Sequence, residues 1–472
     1  MKKNMRRRTF LKTMGAGTLA AITPKWAYGQ PEQQKPNILF IMTDQQSADA
    51  MSCAGNQYLS TPAVDSIASE GVRFDNAYCS FPLCVPARVS IFSGHMAHEC
   101  GVFCNCKISQ DPFPFPIIGK VVGEAGYDCH YVGKWHTTIP TSRTEEHGFK
   151  TVEYPGGHGH DSKRAERAAD FLMQEHEDPF FLFVSLLNPH DCCQLAREED
   201  LSKFDGPIPP VPPENELPPL PDNFAIPENE PDYLRVWQKE QSERIYKSYF
   251  WNDKHFREYQ WGYYRLAEKV DREIGKVLKA LRDSGQEENT VIIFTSDHGD
   301  GHSRHHWNQK WSLYDESAKI PFIIAQKGVT KAGGVDHHLT PATLDIMPTI
   351  CDYAGADLPE GCLGVSDRPQ AEGREPETRR EYIVSETAFN QSSEVGESDW
   401  PKARMVRTDK YKYVVFDAGK RREQLTDMEK DPGEMTNLAE NEEYKDVLME
   451  HRQLLREWCR KTNDSFAVPG HS

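Results

Sequence analysis

Apolar residues run almost without a break through residues 37–42 and stop at Thr43-Asp44-Gln45. A run of this kind predicts a strand buried on both faces of a parallel sheet, since a strand with one wet face would alternate. The pattern recurs at residues 127–132, ahead of Gly133-Lys134-Trp135-His136, and at 180–187, ahead of Asn188-Pro189-His190-Asp191. It returns at 291–294, ahead of Thr295-Ser296-Asp297-His298-Gly299-Asp300. Helical patterns at 63–70, 117–125, 163–175, 263–281 and 341–354 separate these strands, and a further strand is predicted at 72–78. This alternation predicts an α/β fold with a large doubly wound sheet, mixed but mostly parallel, flanked by helices. In such sheets ligands bind beyond the carboxyl ends of the strands, where the four polar clusters fall.

Two stretches break the pattern. Residues 206–232 are rich in proline, cannot supply a sheet ladder, and predict an extended surface insertion near the substrate cleft. Residues 361–381 are polar and rich in turn formers, which places a boundary near 375 between a large domain, 30–375, and a small one, 376–472. Short strands predicted at 382–385, 403–407 and 411–416 and a helix at 443–460 give the small domain an α+β character, an antiparallel sheet plus a terminal helix.

Charge changes the picture at the amino end. Residues 1–29 hold seven cations and no acid, with Arg7-Arg8 ahead of a mild apolar run at 14–22 and Ala27-Tyr28-Gly29 after it. This resembles a twin-arginine export signal with a small-residue cleavage site, and the run is too short to span a bilayer. The expectation is a bacterial protein exported to the periplasm or beyond, without stable membrane insertion. Losing those seven cations takes the formal charge from −17 to −24, which argues against nucleic acid as a partner. An anionic substrate would then need local cations.

The stretch from Cys79 to Gly94 reads CSFPLCVPARVSIFSG, and within it Cys84, Pro86 and Arg88 stand at C-x-P-x-R spacing. Proline near a helix start and glycine past its end put Cys84 at the amino-terminal rim of a short helix, where free N–H groups and Arg88 attract an anion. The same five residues also suit a buried structural cysteine. Asp44 and Asp297, with Gln45 and His298 beside them, supply mainly oxygen ligands, which suit calcium or magnesium better than zinc. Each taken alone is also an ordinary turn residue. The twelve cysteines include a cluster at 100, 104 and 106, but no second pair at zinc spacing accompanies it. Buried thiols or one disulfide fit better.

The pentapeptide, and the wider CVPARVSIFSGHMAHECGV, resemble the signature of the type I sulfatases. Residues 37–44, 61–78, Gly133-Lys134-Trp135-His136, Asn188-Pro189-His190, Ser296-Asp297-His298-Gly299, Lys310, Asp345-Ile346-Met347-Pro348-Thr349 and the tail from Leu425 to Leu438 resemble that family in its order. The resemblance implies that a maturation enzyme oxidises Cys84 to formylglycine, the nucleophile. It implies that Asp44, Gln45, Asp297, His298 and modified Cys84 hold one divalent cation, calcium first and magnesium second. It further implies that Arg88, Lys134 and Lys310 balance the sulfate's charge, that His136 is a base, and that His190 with Lys310 binds sulfate and assists the leaving group. Many relatives carry aspartate where this chain has Gln45, and some have asparagine where it has His298. The implied activity is hydrolysis of sulfate esters of carbohydrates or aryl alcohols. A phosphonate or phosphate diester hydrolase and an inactive exported binding protein are the alternatives.

Overall fold

The computed structural model describes residues 35–106, 113–157, 159–204, 206–376, 378–389 and 400–470, and the expected leader lies outside them. From Lys35 onward the chain forms one compact unit. Its main sheet contains β1 (Asn37–Asp44), β2 (Gly71–Ala77), β3 (Asp128–Gly133), β4 (Thr151–Glu153), β5 (Phe180–Pro189), β6 (Thr290–Ser296), β7 (Phe322–Ala325) and β8 (Gly334–Thr340). The strand order is β4-β3-β5-β1-β6-β7-β2-β8. Only β7 runs against its neighbours. The expected doubly wound, mostly parallel sheet is therefore present, and β3, β5, β1 and β6 are adjacent and parallel, so all four polar clusters leave the same edge.

Alternate residues of β1 explain why it is apolar throughout. Ile38, Phe40 and Met42 pack on one face with residues of helices Cys84–Ser93, Ile118–Glu124 and Ala342–Ala354. Leu39 and Ile41 pack on the other with helices Pro62–Glu70, Asp161–Leu172 and Asp253–Asp283. No face of the strand is left for a polar residue.

The second sheet is antiparallel, in the order β12-β11-β10-β9, from β9 (Tyr382–Ala388), β10 (Lys402–Thr408), β11 (Tyr411–Phe416) and β12 (Glu423–Asp427). Helix Lys445–Thr462 packs on it through Leu448, Leu455 and Cys459. Strands β4, β7, β8 and β12 escaped the sequence reading. They are three to seven residues long, and β8 leaves Val335 and His337 exposed and Asp336 and His338 half-buried, so none carries a long apolar run.

Two local expectations are corrected, and one helix is capped from a distance. Thr61 makes no side-chain cap on the helix Pro62–Glu70. Both oxygens of Asp271, on the long helix, accept from the amides of Ala63 and Val64 at 3.1 and 2.9 Å, a charged cap brought from more than two hundred residues away. That long helix begins at Asp253 rather than 263, because Asn252 accepts from the His255 amide. The proline-rich stretch holds only a short 3₁₀ turn, as its composition predicts, but it does not merely lie on the surface. Asn223 donates to Glu316 Oε1 at 2.9 Å, and buried Glu230 accepts from the Tyr314 hydroxyl at 2.8 Å and pairs with Arg235.

Candidate active site

The helix that presents Cys84 spans Cys84–Ser93 and is buried on every side. Cys84 is its first residue and Pro86 its third, so the proline stands inside the first turn. This is tolerated because the first-turn N–H groups have no partner within the helix. The Val85 amide is satisfied from outside, by Asn105 Oδ1 at 2.9 Å. Gly94 ends the helix with φ of 72°.

Around the Cys84 thiol, Lys310 Nζ donates to Sγ at 3.2 Å, His298 Nε2 lies at 3.2 Å, and Sγ donates to Asp44 Oδ1 at 3.7 Å. Arg88 is wholly buried and lies behind them. Its Nε donates to Asp297 Oδ2 at 2.9 Å, one Nη to Asp44 Oδ2 at 2.8 Å, and the other to the Lys134 carbonyl and Ser185 Oγ at 2.7 and 3.0 Å. That fork is committed to the two carboxylates and is not presented to an incoming anion. The close approach at the end of β3 requires Gly133, whose φ is +123° and whose added Cβ would lie 1.9 Å from the Ser185 carbonyl oxygen. Lys134 follows and donates to Asp44 Oδ2 at 2.6 Å.

His190 Nε2 is 3.9 Å from Asp44 Oδ1, and the His136 imidazole lies within the electrostatic reach of Cys84. The Gln45 backbone amide donates to Asp297 Oδ1 at 3.1 Å. Its side-chain oxygen accepts from Lys310 at 2.9 Å, and its side-chain nitrogen donates to Asp300 Oδ2 at 2.7 Å. All ten residues singled out from the sequence thus meet at one edge of the sheet. Gln45, His136, Gln309 and Trp311 have φ of 69°, 41°, 69° and 73°. Left-handed backbone at non-glycine residues costs about 1–3 kcal/mol each and persists only where surrounding contacts over-determine it.

Burial and electrostatics set the protonation states. Burial and Cys84 push the Asp44 carboxyl up, but Lys134, His190 and Arg88 outweigh them and hold it well below the usual range. Burial, then the charge of Asp44, pushes Asp297 up to about 6. Burial would raise the Cys84 thiol, yet Lys310, Lys134 and His298 hold it well below its ordinary value. Burial and Lys134 lower His136 and favour its neutral form. His190 is raised to about 9, because Cys193 and Asp44 outweigh burial and Lys134.

Asp44, Cys84, Asp297 and His298 bring ligand atoms within 4.8 Å of one another, all four residues buried. The His298 Nδ1–H donates to the Gly299 carbonyl at 2.9 Å, which turns Nε2 inward. Two buried carboxylates, an inward imidazole and residue 84 form a donor set that fits a divalent cation.

The family model described as Sulfatase matches residues 36–356, about two thirds of the sequence, and a second, described as N-sulphoglucosamine sulphohydrolase, C-terminal, matches residues 303–461. The chain belongs to the sulfatase family. It is a sulfuric ester hydrolase. This sulfatase is 33% identical to a Delta 4,5-hexuronate-2-O-sulfatase of Bacteroides thetaiotaomicron, over 92% of this chain and 91% of that one. It is 29% identical to an arylsulfatase of Clostridium perfringens, over 89% and 94%. A solved 2-O GAG sulfatase superposes with a TM-score of 0.78 at 31% identity, covering 93% of this chain and 95% of that one.

The candidate site also involves residues that the sequence reading did not assign. Ser185 holds Arg88, and Asp300 fixes the Gln45 amide while accepting from the Tyr259 hydroxyl at 3.0 Å. Cys193 donates to Gln309 Oε1 at 3.0 Å and to Gln45 Oε1 at 3.5 Å. Asp300 and Ser185 lie in or beside strands already marked, so position was a usable signal for them. Cys193 and Gln309 carried none. The expected cysteine chemistry resolves into one disulfide, Cys104–Cys106, with the other ten cysteines free. Of the remaining histidines, His98 pairs with Glu386, His302 with Asp49 and His305 with Glu316. Among the described residues no helix is long and apolar enough to cross a membrane.

Proposed function

We propose that this sulfatase is exported and hydrolyses sulfate esters of carbohydrates, through a formylglycine that a maturation enzyme makes from Cys84 and with one divalent cation, calcium first and magnesium second. The relatives named above for hexuronate and GAG sulfates support a sulfated carbohydrate as substrate, and the Arg7-Arg8 leader supports export. The observation that carries the reading is the convergence of Lys310, His298 and Asp44 on Cys84 Sγ inside a wholly buried ring of charge. Cations outnumber carboxylates around that atom, which is what an anionic substrate needs.

A formylglycine hydrate supplies two hydroxyls on one carbon, one to attack sulfur and one whose deprotonation expels sulfate, and a cation on Asp44, Asp297, His298 and residue 84 would withdraw charge from that centre. The protein's own side chains do the rest. Lys310, kept charged because Cys84, Cys193 and Asp44 outweigh the effect of burial, stabilises negative charge on the sulfate oxygens. Lys134 balances Asp44 from the other side. His190, protonated, can give its proton to the leaving alcohol oxygen, and neutral His136 can take the hydroxyl proton at residue 84. Arg88 positions both carboxylates.

The test combines mass spectrometry with matched substrates. Active protein should carry a residue-84 peptide about 18 Da lighter than the thiol form, the mass change of a thiol-to-aldehyde conversion that creates the nucleophile. It should hydrolyse a sulfated saccharide faster than the matching phosphate diester, and Cys84→Ala should abolish turnover. Full activity with unmodified Cys84, or preference for the diester, would overturn the reading.

A further inference from the structure

A buried glutamine joins Lys310 to a carboxylate that stands outside the reacting centre. Asp300, wholly buried, accepts the Gln45 Nε2–H at 2.7 Å on Oδ2. The Gln45 Oε1 accepts from Lys310 Nζ at 2.9 Å, and the same ammonium donates to Cys84 Sγ at 3.2 Å. A carboxylate only accepts and an ammonium only donates, so an amide held between them has one orientation. Gln309 supports it from the side. Its Oε1 accepts from Gln45 Nε2 at 3.3 Å and from Cys193 Sγ at 3.0 Å, and Cys193 Sγ also reaches Gln45 Oε1 at 3.5 Å. All five residues are buried, so a wrongly turned amide would leave donors and acceptors unpaired where each costs most.

The carboxylate is fixed in its turn. The His302 amide donates to Asp300 Oδ1 at 2.7 Å, the Tyr259 hydroxyl lies 3.1 and 3.0 Å from the two oxygens, and Cys192 Sγ donates to Oδ2 at 3.6 Å. None of these donors is charged. Asp300 is also not one of the four residues whose ligand atoms gather for a cation. Its opposite charge is Lys310, one amide away. A carboxylate placed directly on that ammonium would commit it, as Asp44 and Asp297 commit Arg88. A glutamine between them holds the ammonium in place and leaves its charge for an anion.

We propose that Asp300 is a positioning residue for the sulfatase reaction: by fixing which way the Gln45 amide faces, it holds the Lys310 ammonium beside residue 84. The inference rests on the role given to Lys310 above and extends it to a residue behind the reacting centre. An asparagine at position 300 would have the same shape but one accepting oxygen, which the His302 backbone amide claims. Its nitrogen would then face Gln45 Nε2, donor against donor, and Gln45 would turn its own nitrogen toward Lys310. A glutamate at position 45 removes that conflict, because its carboxylate accepts from both sides. The pair Asp300→Asn with Gln45→Glu also leaves the net charge unchanged.

The experiment is a double-mutant cycle on matured protein, with the mass of the residue-84 peptide, calcium content and melting temperature checked for every variant. On a sulfate ester with a limiting chemical step, Asp300→Asn should lower kcat by about 10²-fold, the scale of a reacting group displaced by about 1 Å. In Lys310→Ala protein the same substitution should change kcat by less than about twofold, since the group it positions is gone. Adding Gln45→Glu to Asp300→Asn should recover about tenfold, whereas Gln45→Glu alone, which sets carboxylate against carboxylate, should lose activity. If Asp300→Asn alone does not fold, recovery of fold and turnover in the double variant is the deciding result. Wild-type kcat in Asp300→Asn, an equal loss with and without Lys310, or no recovery by Gln45→Glu overturns the positioning role. If Lys310→Ala by itself turns over at the wild-type rate, the role of Lys310 fails and the relay falls with it. If Lys310→Ala is slow and Asp300→Asn is not, only the relay fails.

Discussion

Among the described residues three clusters bring histidine and carboxylates close enough to grip a metal, and two of them, one in the C-terminal part and one at the candidate active site, differ in how their charge is balanced. In the C-terminal cluster, His98 pairs with Glu386 at 2.9 Å, while Arg404 reaches Glu386 at 3.2 Å and Asp464 at 2.6 Å. Two cationic groups face two acids, and Arg404 fills the space between the carboxylates. At the candidate active site Arg88 likewise spans two carboxylates, Asp44 and Asp297, but Lys134 and Lys310 come in addition. The first cluster is balanced, and the second holds an excess of positive charge around one thiol. The difference teaches that a matched guanidinium marks a structural tie, whereas surplus cations mark a place kept for an anionic substrate.

Breaking the balanced cluster should have the largest effect on stability. Arg404 is 2% exposed and Glu386 fully buried, so Arg404→Ala leaves charges unpaired and should cost about 3–5 kcal/mol, read by chemical denaturation. Turnover per folded molecule should be retained. A loss of turnover in protein that remains folded would mean that the C-terminal cluster also serves the reaction.

Lys310→Ala tests the surplus cluster in the opposite sense. It should lower kcat on a substrate with a limiting chemical step by about 10²–10³-fold, the scale of one lost preorganised charge-stabilising group. Wild-type turnover in this variant would remove Lys310 from its assigned role.

Chelation separates the clusters by ligand. With a cation at a hundred times its dissociation constant, removal should lower stability by about 2.7 kcal/mol, with calcium restoring both melting temperature and activity. Arg404→Ala protein should show the same calcium response, since its lesion lies elsewhere. Elemental analysis checks that the ion has gone, and an unchanged melting temperature after that check would count against the site.

The smallest effect is a pH slope. Glu386 outweighs burial and raises His98 to about 9 from an ordinary value of 6.5. A histidine raised on folding adds stability that is complete below about pH 6.5 and is lost as pH climbs through 9, with a slope of at most about 1.4 kcal/mol per pH unit. His98→Gln should flatten stability between those limits, and a slope equal to wild type would show that another group carries it.

The central strands were legible because burial on both faces leaves only apolar residues, as Leu39 to Met42 and Phe181 to Val184 show. Their polar ends marked Asp44, Lys134, His190 and Asp297, since adjacent parallel strands deliver their termini to one edge. The C-x-P-x-R spacing located Cys84 on a helix start. Short edge strands such as β4 and β8 were not legible, because three residues or a half-wet face leave too little pattern.

Pairing was decided only in three dimensions. Nothing local shows that Arg88 is committed to Asp44, Asp297 and Ser185, or that Asp271 caps a helix at Ala63 and Val64. The same holds for Gln45, whose amide is fixed by Asp300 and Gln309, and for a hollow that gathers Leu83, Asn105, Tyr246 and Trp311 from four parts of the chain. Periodicity records which face of an element is buried, because burial acts on each residue through solvent. A hydrogen bond or ion pair depends on the distance between two side chains far apart in sequence, and the fold alone sets that distance.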